Sequence, residues 1–129
     1  MKTVISTNKA PSAIGPYSQG TVHNNVLYVS GQLPLCPQSG QMVSGDITQE
    51  VTQVMQNIKA IVEAAGGKME SMLKATILLT DLGDFDAVNK AYAEFFPTTE
   101  DKKPPARICY QVVALPRGAR VEIDAICAL

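Results

Sequence analysis

Between residues 46 and 65, Ile47, Val51, Val54, Met55, Ile58, Ile61, Val62 and Ala65 recur at three- and four-residue spacing. That period lays one apolar stripe along an α-helix, which then needs a sheet or another helix to cover it. Both ends are marked. Asp46 and Gln49 form a capping-box pattern, in which each side chain satisfies a backbone N–H left free at the helix start. Gly66-Gly67 stops the helix, because glycine readily takes the left-handed closing conformation. A second helix is predicted over 85–96, with Asp84 as its cap. Phe85, Val88, Tyr92, Phe95 and Phe96 form its apolar face, and Pro97 ends it.

The other apolar segments are shorter and read as strands. Residues 2–6 are a strand-like start, and 7–16, with two prolines and a glycine, read as an ordered loop. Residues 17–22 and 26–32 predict two strands about a turn at Asn24-Asn25, since asparagine tolerates left-handed geometry. Residues 33–45 read as a long connection, and 73–80 as a mostly buried strand rich in branched residues. After a polar loop at 97–105, residues 106–114 and 119–128 predict two strands joined at Leu115-Pro116-Arg117-Gly118. So short a turn favours an antiparallel pair. In the last strand Val121, Ile123 and Ala125 alternate with Arg120, Glu122 and Asp124, the pattern of a half-buried strand.

The order β-β-β-α-β-α-β-β predicts one α+β domain over residues 1–129: a mixed sheet of about six strands with two helices on one face. The opposite face has no helix assigned to it. Several of its positions are apolar, which favours packing on another subunit.

Composition narrows the function. The chain has 129 residues, enough for one core, and a net charge of -1. A phosphate binder usually carries a basic excess, so nothing global points to nucleic acid. The N-terminal residues lack the apolar run of a secretory signal, and no stretch of about 18 apolar residues occurs. The cytoplasm is the simplest compartment, with no membrane partner. Cys36, Cys109 and Cys127 are odd in number and unpaired in spacing, which argues against a disulfide framework. One histidine, His23, leaves little from which to build a metal site.

Six segments, AIGPYSQG (13–20), SGQLP (30–34), NIKAIVEAAG (57–66), DLGDFDAVNKAYAEFF (81–96), PPARICYQV (104–112) and LPRGARVEIDAI (115–126), occur in an order that resembles the YjgF/RidA family, also called the endoribonuclease L-PSP family. The resemblance runs nearly end to end. It implies a chorismate-mutase-like fold and a homotrimer whose sheets pack inward, with sites in clefts between subunits. It also implies hydrolysis of 2-imino acids such as 2-iminobutanoate and 2-iminopropanoate, without a cofactor. Such imines are reactive products of dehydratases acting on serine or threonine, so the role would be control of metabolite damage.

That chemistry needs a cation for the substrate carboxylate, a group to activate water and a route for the proton. The resemblance places the anchoring arginine at Arg107, whose guanidinium matches a carboxylate with two parallel hydrogen bonds. It places the acid/base at Glu122, where burial would raise the pKa and a nearby Arg107 would oppose the rise. Cys109 shares a strand face with Arg107 and reads as a pocket wall rather than a nucleophile, having no evident general base. Tyr17 matches the tyrosine of the GPYSQ segment and either caps the pocket or packs. Ser30 and Gly31 match the SGQ turn, where glycine lets a backbone N–H approach the substrate or simply allows a tight bend. Asn89 touches a neighbouring site or makes a helix-face hydrogen bond. Two other readings stand beside the enzyme: an endoribonuclease or translation inhibitor, and a non-enzymatic trimer binding carboxylate metabolites or acting as a chaperone-like module. Only seven Phe and Tyr residues and no Trp are present, which is poor stacking material for single-stranded RNA.

Overall fold

The computed structural model describes residues 1–129. Six strands form one sheet: β1 (Thr3–Ile5), β2 (Gly20–His23), β3 (Val26–Gln32), β4 (Met72–Leu79), β5 (Ala106–Gln111) and β6 (Val121–Ala128). Two helices, α1 (Ile47–Ala64) and α2 (Phe85–Ala93), cover one face. The spatial order is β1-β2-β3-β6-β4-β5, antiparallel throughout except for the parallel pair β4–β5. Both crossovers, β3-α1-β4 and β4-α2-β5, progress along the sheet in the same direction. Crossovers of one hand then leave both helices on the same face. β6 returns antiparallel in the gap between β3 and β4.

The local signals are present. Asp46 and Gln49 form the full capping box, with both hydrogen bonds at 2.9 Å. At the other end the Gly66 N–H donates to the Glu63 carbonyl and the Gly67 N–H to Val62, with Gly66 at φ 86°. Asn24 and Asn25 both have positive φ, and the register pairs His23 with Val26 across them. The α1 stripe is fully buried at Val51, Val54, Met55, Ile58, Ile61 and Val62. It packs on Leu27, Ile77, Ile123 and Ala125 of the sheet.

Three expectations need correction. β5 and β6 are not a hairpin, because β4 lies between them. The connection spans the end of β4, with Val112 N–H donating to the Leu79 carbonyl at 2.8 Å and Thr80 N–H donating to Arg120 at 3.1 Å. A turn at Pro116–Gly118, with Arg117 at φ 60°, makes that reversal compact, so its shortness misled. α2 ends at Ala93; Phe95 and Phe96 follow in turns bonded three residues back, and Asp84 makes no side-chain cap bond. β2 begins at Gly20, which leaves Tyr17 and Ser18 in the preceding loop.

Candidate functional site

Glu122 lies on the sheet face away from the helices, since its register partner is Leu78 while its neighbours Val121 and Ile123 point into the core. Its carboxyl is half-buried. Burial, and secondarily the like charge of Asp124, pushes its pKa above the usual carboxylate range. Gly31 sits opposite, where the β3–β6 ladder breaks register between Val29 and Gln32. A Cβ on Gly31 would overlap the Glu122 carboxylate, so the glycine is there because that carboxylate needs its space. This is a steric reason, beyond the backbone approach foreseen from sequence.

Around this pair opens a cleft of about 520 Å³. Tyr17, Ser30, Gly31 and Glu122 line it, together with Pro11, Ile14, Leu33, Leu35, Pro116 and Arg117. Ser30 is fixed by its hydroxyl, which donates to the Ser18 carbonyl at 2.5 Å. Tyr17 is half-exposed, and its hydroxyl accepts weakly from the Ile14 N–H at 3.3 Å.

Two buried amides that the sequence reading passed over hold the walls. Gln19 accepts from Thr7 N–H at 2.7 Å and donates to the carbonyls of Thr7, Ala10 and Pro11, lacing down the loop that carries Pro11 and Ile14. Asn57, wholly buried on α1, donates to the carbonyls of Leu33 and Leu35 and accepts from Gln53. These bonds satisfy loop carbonyls that burial would otherwise leave without water. The signal for Asn57 was present: it falls between Val54 and Ile61 at the spacing of the apolar stripe. Arg117 was also missed; its guanidinium donates to the Gly40 carbonyl at 3.2 Å on the rim of the cleft.

Arg107, Cys109 and Asn89 lie elsewhere. Arg107 pairs in register with Ala75 and Cys109 with Ile77, both core-facing, so these side chains are on the helix side of the edge strand β5. Within one chain, then, Arg107 does not share the Glu122 cleft, and the raised pKa of Glu122 carries no opposing effect from Arg107. Arg107 instead lines a second cavity, of about 540 Å³, with Asn89, Tyr92, Phe96, Thr98 and Pro105. Its guanidinium carbon is 5.6 Å from the Phe85 ring centre and 5.2 Å from that of Tyr92. Burial pushes the Cys109 thiol up, with Arg107 opposing, so the thiol stays protonated near neutral pH; Cys109 lines neither cavity within one chain.

The structure is thus a small α+β domain with a half-buried carboxylate set against a bulged glycine and a guanidinium on the edge strand of its sheet. The chain belongs to the endoribonuclease L-PSP family, whose model it matches over residues 7–129, as the YjgF/RidA resemblance implied. It is 48% identical to the 2-iminobutanoate/2-iminopropanoate deaminase of Capra hircus, over 98% of this chain and 89% of that one. A Rid-family protein of Yersinia pestis superposes with a TM-score of 0.94 at 43% identity over 100% of both chains. TdcF of E. coli, solved with bound serine, superposes with a TM-score of 0.92 at 39% identity over 98% of each.

Proposed function

We propose that this protein hydrolyses short 2-imino acids to 2-oxo acids and ammonia, in clefts that a second copy of the chain completes within a homotrimer. The observation that carries the reading is the Glu122 carboxylate, backed against Gly31 in a cleft and held at a raised pKa. A carboxyl group tuned upward exchanges protons with water and amine more readily near neutral pH than an ordinary glutamate. The relatives named as imine deaminases support the substrate class.

In this reading the Arg107 guanidinium binds the substrate carboxylate with two parallel hydrogen bonds. The water oxygen bonds to C2 as Glu122 takes one of its protons and the C=N electron pair moves to nitrogen. Glu122 returns that proton to nitrogen. The second water proton follows the same route as the C–N bond breaks, C=O forms and ammonia leaves. Tyr17, Ser30 and Gly31 shape the cleft on the Glu122 side. Asn89 and Cys109 line the Arg107 side, contributed by the neighbouring copy. The open sheet face, with Tyr28, Ile108 and Tyr110 about half-exposed, supplies apolar surface for the trimer to cover.

The test generates 2-iminobutanoate in situ and captures it with semicarbazide. Wild-type protein should suppress capture by hydrolysing the imine first, while Arg107→Ala and Glu122→Ala should not. A wild-type rate equal to that of water alone across several imino acids would remove the enzyme assignment.

A further inference from the structure

Arg107 is unusual among this chain's arginines in what it lacks. Arg120 is paired with Glu50 and also donates to the Gly45 carbonyl, and Arg117 donates to Gly40. The chain's two salt bridges are Lys102–Glu70 and Arg120–Glu50, so Arg107 has no acidic partner, and its guanidinium makes no hydrogen bond. Two aromatic rings of α2, Phe85 and Tyr92, flank it instead. A ring attracts a cation through its negative face and uses none of the cation's N–H donors.

We infer that Phe85 and Tyr92 are positioning residues that hold the Arg107 guanidinium in place of an acidic partner, leaving its donors free for an incoming carboxylate. This rests on the proposed role of Arg107. An aspartate or glutamate in the same place would fix the side chain equally well. It would also occupy the fork that must recognise a carboxylate. The rings remove that competition. A planar guanidinium can also stack on a ring while its forked N–H donors point outward, an arrangement that lysine's ammonium does not offer.

At Tyr92 the contact with Arg107 is made by the ring, and the hydroxyl forms no hydrogen bond to it. The hydroxyl is buried and has no hydrogen-bond partner, while the ring is packed against Phe96 with centres 4.9 Å apart. Phe85 is half-buried at the first position of α2, where its ring can be changed with less damage to the core.

The test measures binding of 2-oxobutanoate, the stable product, beside turnover of 2-iminobutanoate, in wild type, Phe85→Leu, Phe85→Tyr and Tyr92→Phe. Phe85→Leu should weaken product binding and raise KM, each by about tenfold, with kcat within about twofold of wild type. Phe85→Tyr and Tyr92→Phe keep a ring and should restore or retain wild-type binding. Equal losses in Phe85→Leu and Phe85→Tyr, or no loss in either, would overturn the inference, as would a wild type that binds no 2-oxo acid. If wild type binds 2-oxobutanoate with this dependence on the ring but accelerates no imine hydrolysis, the inference stands and the enzyme reading falls.

Discussion

The two faces of the sheet are finished in opposite ways. On the helix side Val121, Ile123, Ala125 and Cys127 of β6 are sealed beneath α1 and α2, and no polar side chain of that strand intrudes. On the other side the same strand presents Glu122 and Asp124, beside half-exposed Tyr28, Ile108 and Tyr110. Burial is complete where the chain covers itself and partial where a second copy would cover it. In the proposed reading one strand thus serves stability with one set of residues and chemistry with the alternate set, as a two-residue period allows. Arg107 qualifies the division. It stands on the helix side, but at the edge strand, where the cover of α2 runs out and the guanidinium stays exposed.

Substitutions on the two faces should therefore fail differently. Glu122→Gln should have the largest effect: kcat/KM for 2-iminobutanoate falls by about 10²–10⁴-fold, because the proton carrier is gone. Its stability should move the other way. Glu122 holds its proton more tightly folded than unfolded, so the folded state loses stability as pH rises from the ordinary glutamate value through the raised one. Glutamine removes that loss, and at pH 7 thermal melting should show a variant at least as stable as wild type. Ile58→Ala, on the buried face of α1, should cost about 2–5 kcal/mol in denaturant unfolding. Its residual folded fraction should keep wild-type kcat.

Gly31→Ala sharpens the comparison at a single position. The added methyl must displace the Glu122 carboxylate, so kcat should fall by about tenfold with little change in melting temperature. The smallest effect belongs to Glu70→Ala. Its ion pair with Lys102 at 2.8 Å is exposed on both sides, and melting should shift by less than about 4 °C.

Much of this architecture was legible from local pattern. The α1 stripe, its capping box, the closing glycines and the Asn24-Asn25 turn depend on neighbours within a few residues, and all are present. The pairing of β5 was not legible. A compact turn at 116–118 looks alike whether its strands pair directly or enclose a third. The division of the candidate site was hidden for a related reason. Alternation assigns Arg107 and Cys109 to one face of β5, but only the register through β4 tells which face of β6 that matches. Gln19 and Asn57 escaped because their work is to satisfy loop carbonyls, and a lone amide in a sequence does not say which loop it will reach.

A site that draws Arg107 and Glu122 from different copies of the chain can be tested by complementation. Arg107→Ala and Glu122→Ala proteins, each inactive alone, can be unfolded together in equal amounts, refolded and assayed for 2-iminobutanoate hydrolysis. If every site takes its arginine from one chain and its glutamate from the next, random assembly gives about one quarter of sites with both residues, and about a quarter of wild-type activity returns. If both residues act from the same chain, no mixed assembly contains an intact site, and activity would stay at the level of the separate variants.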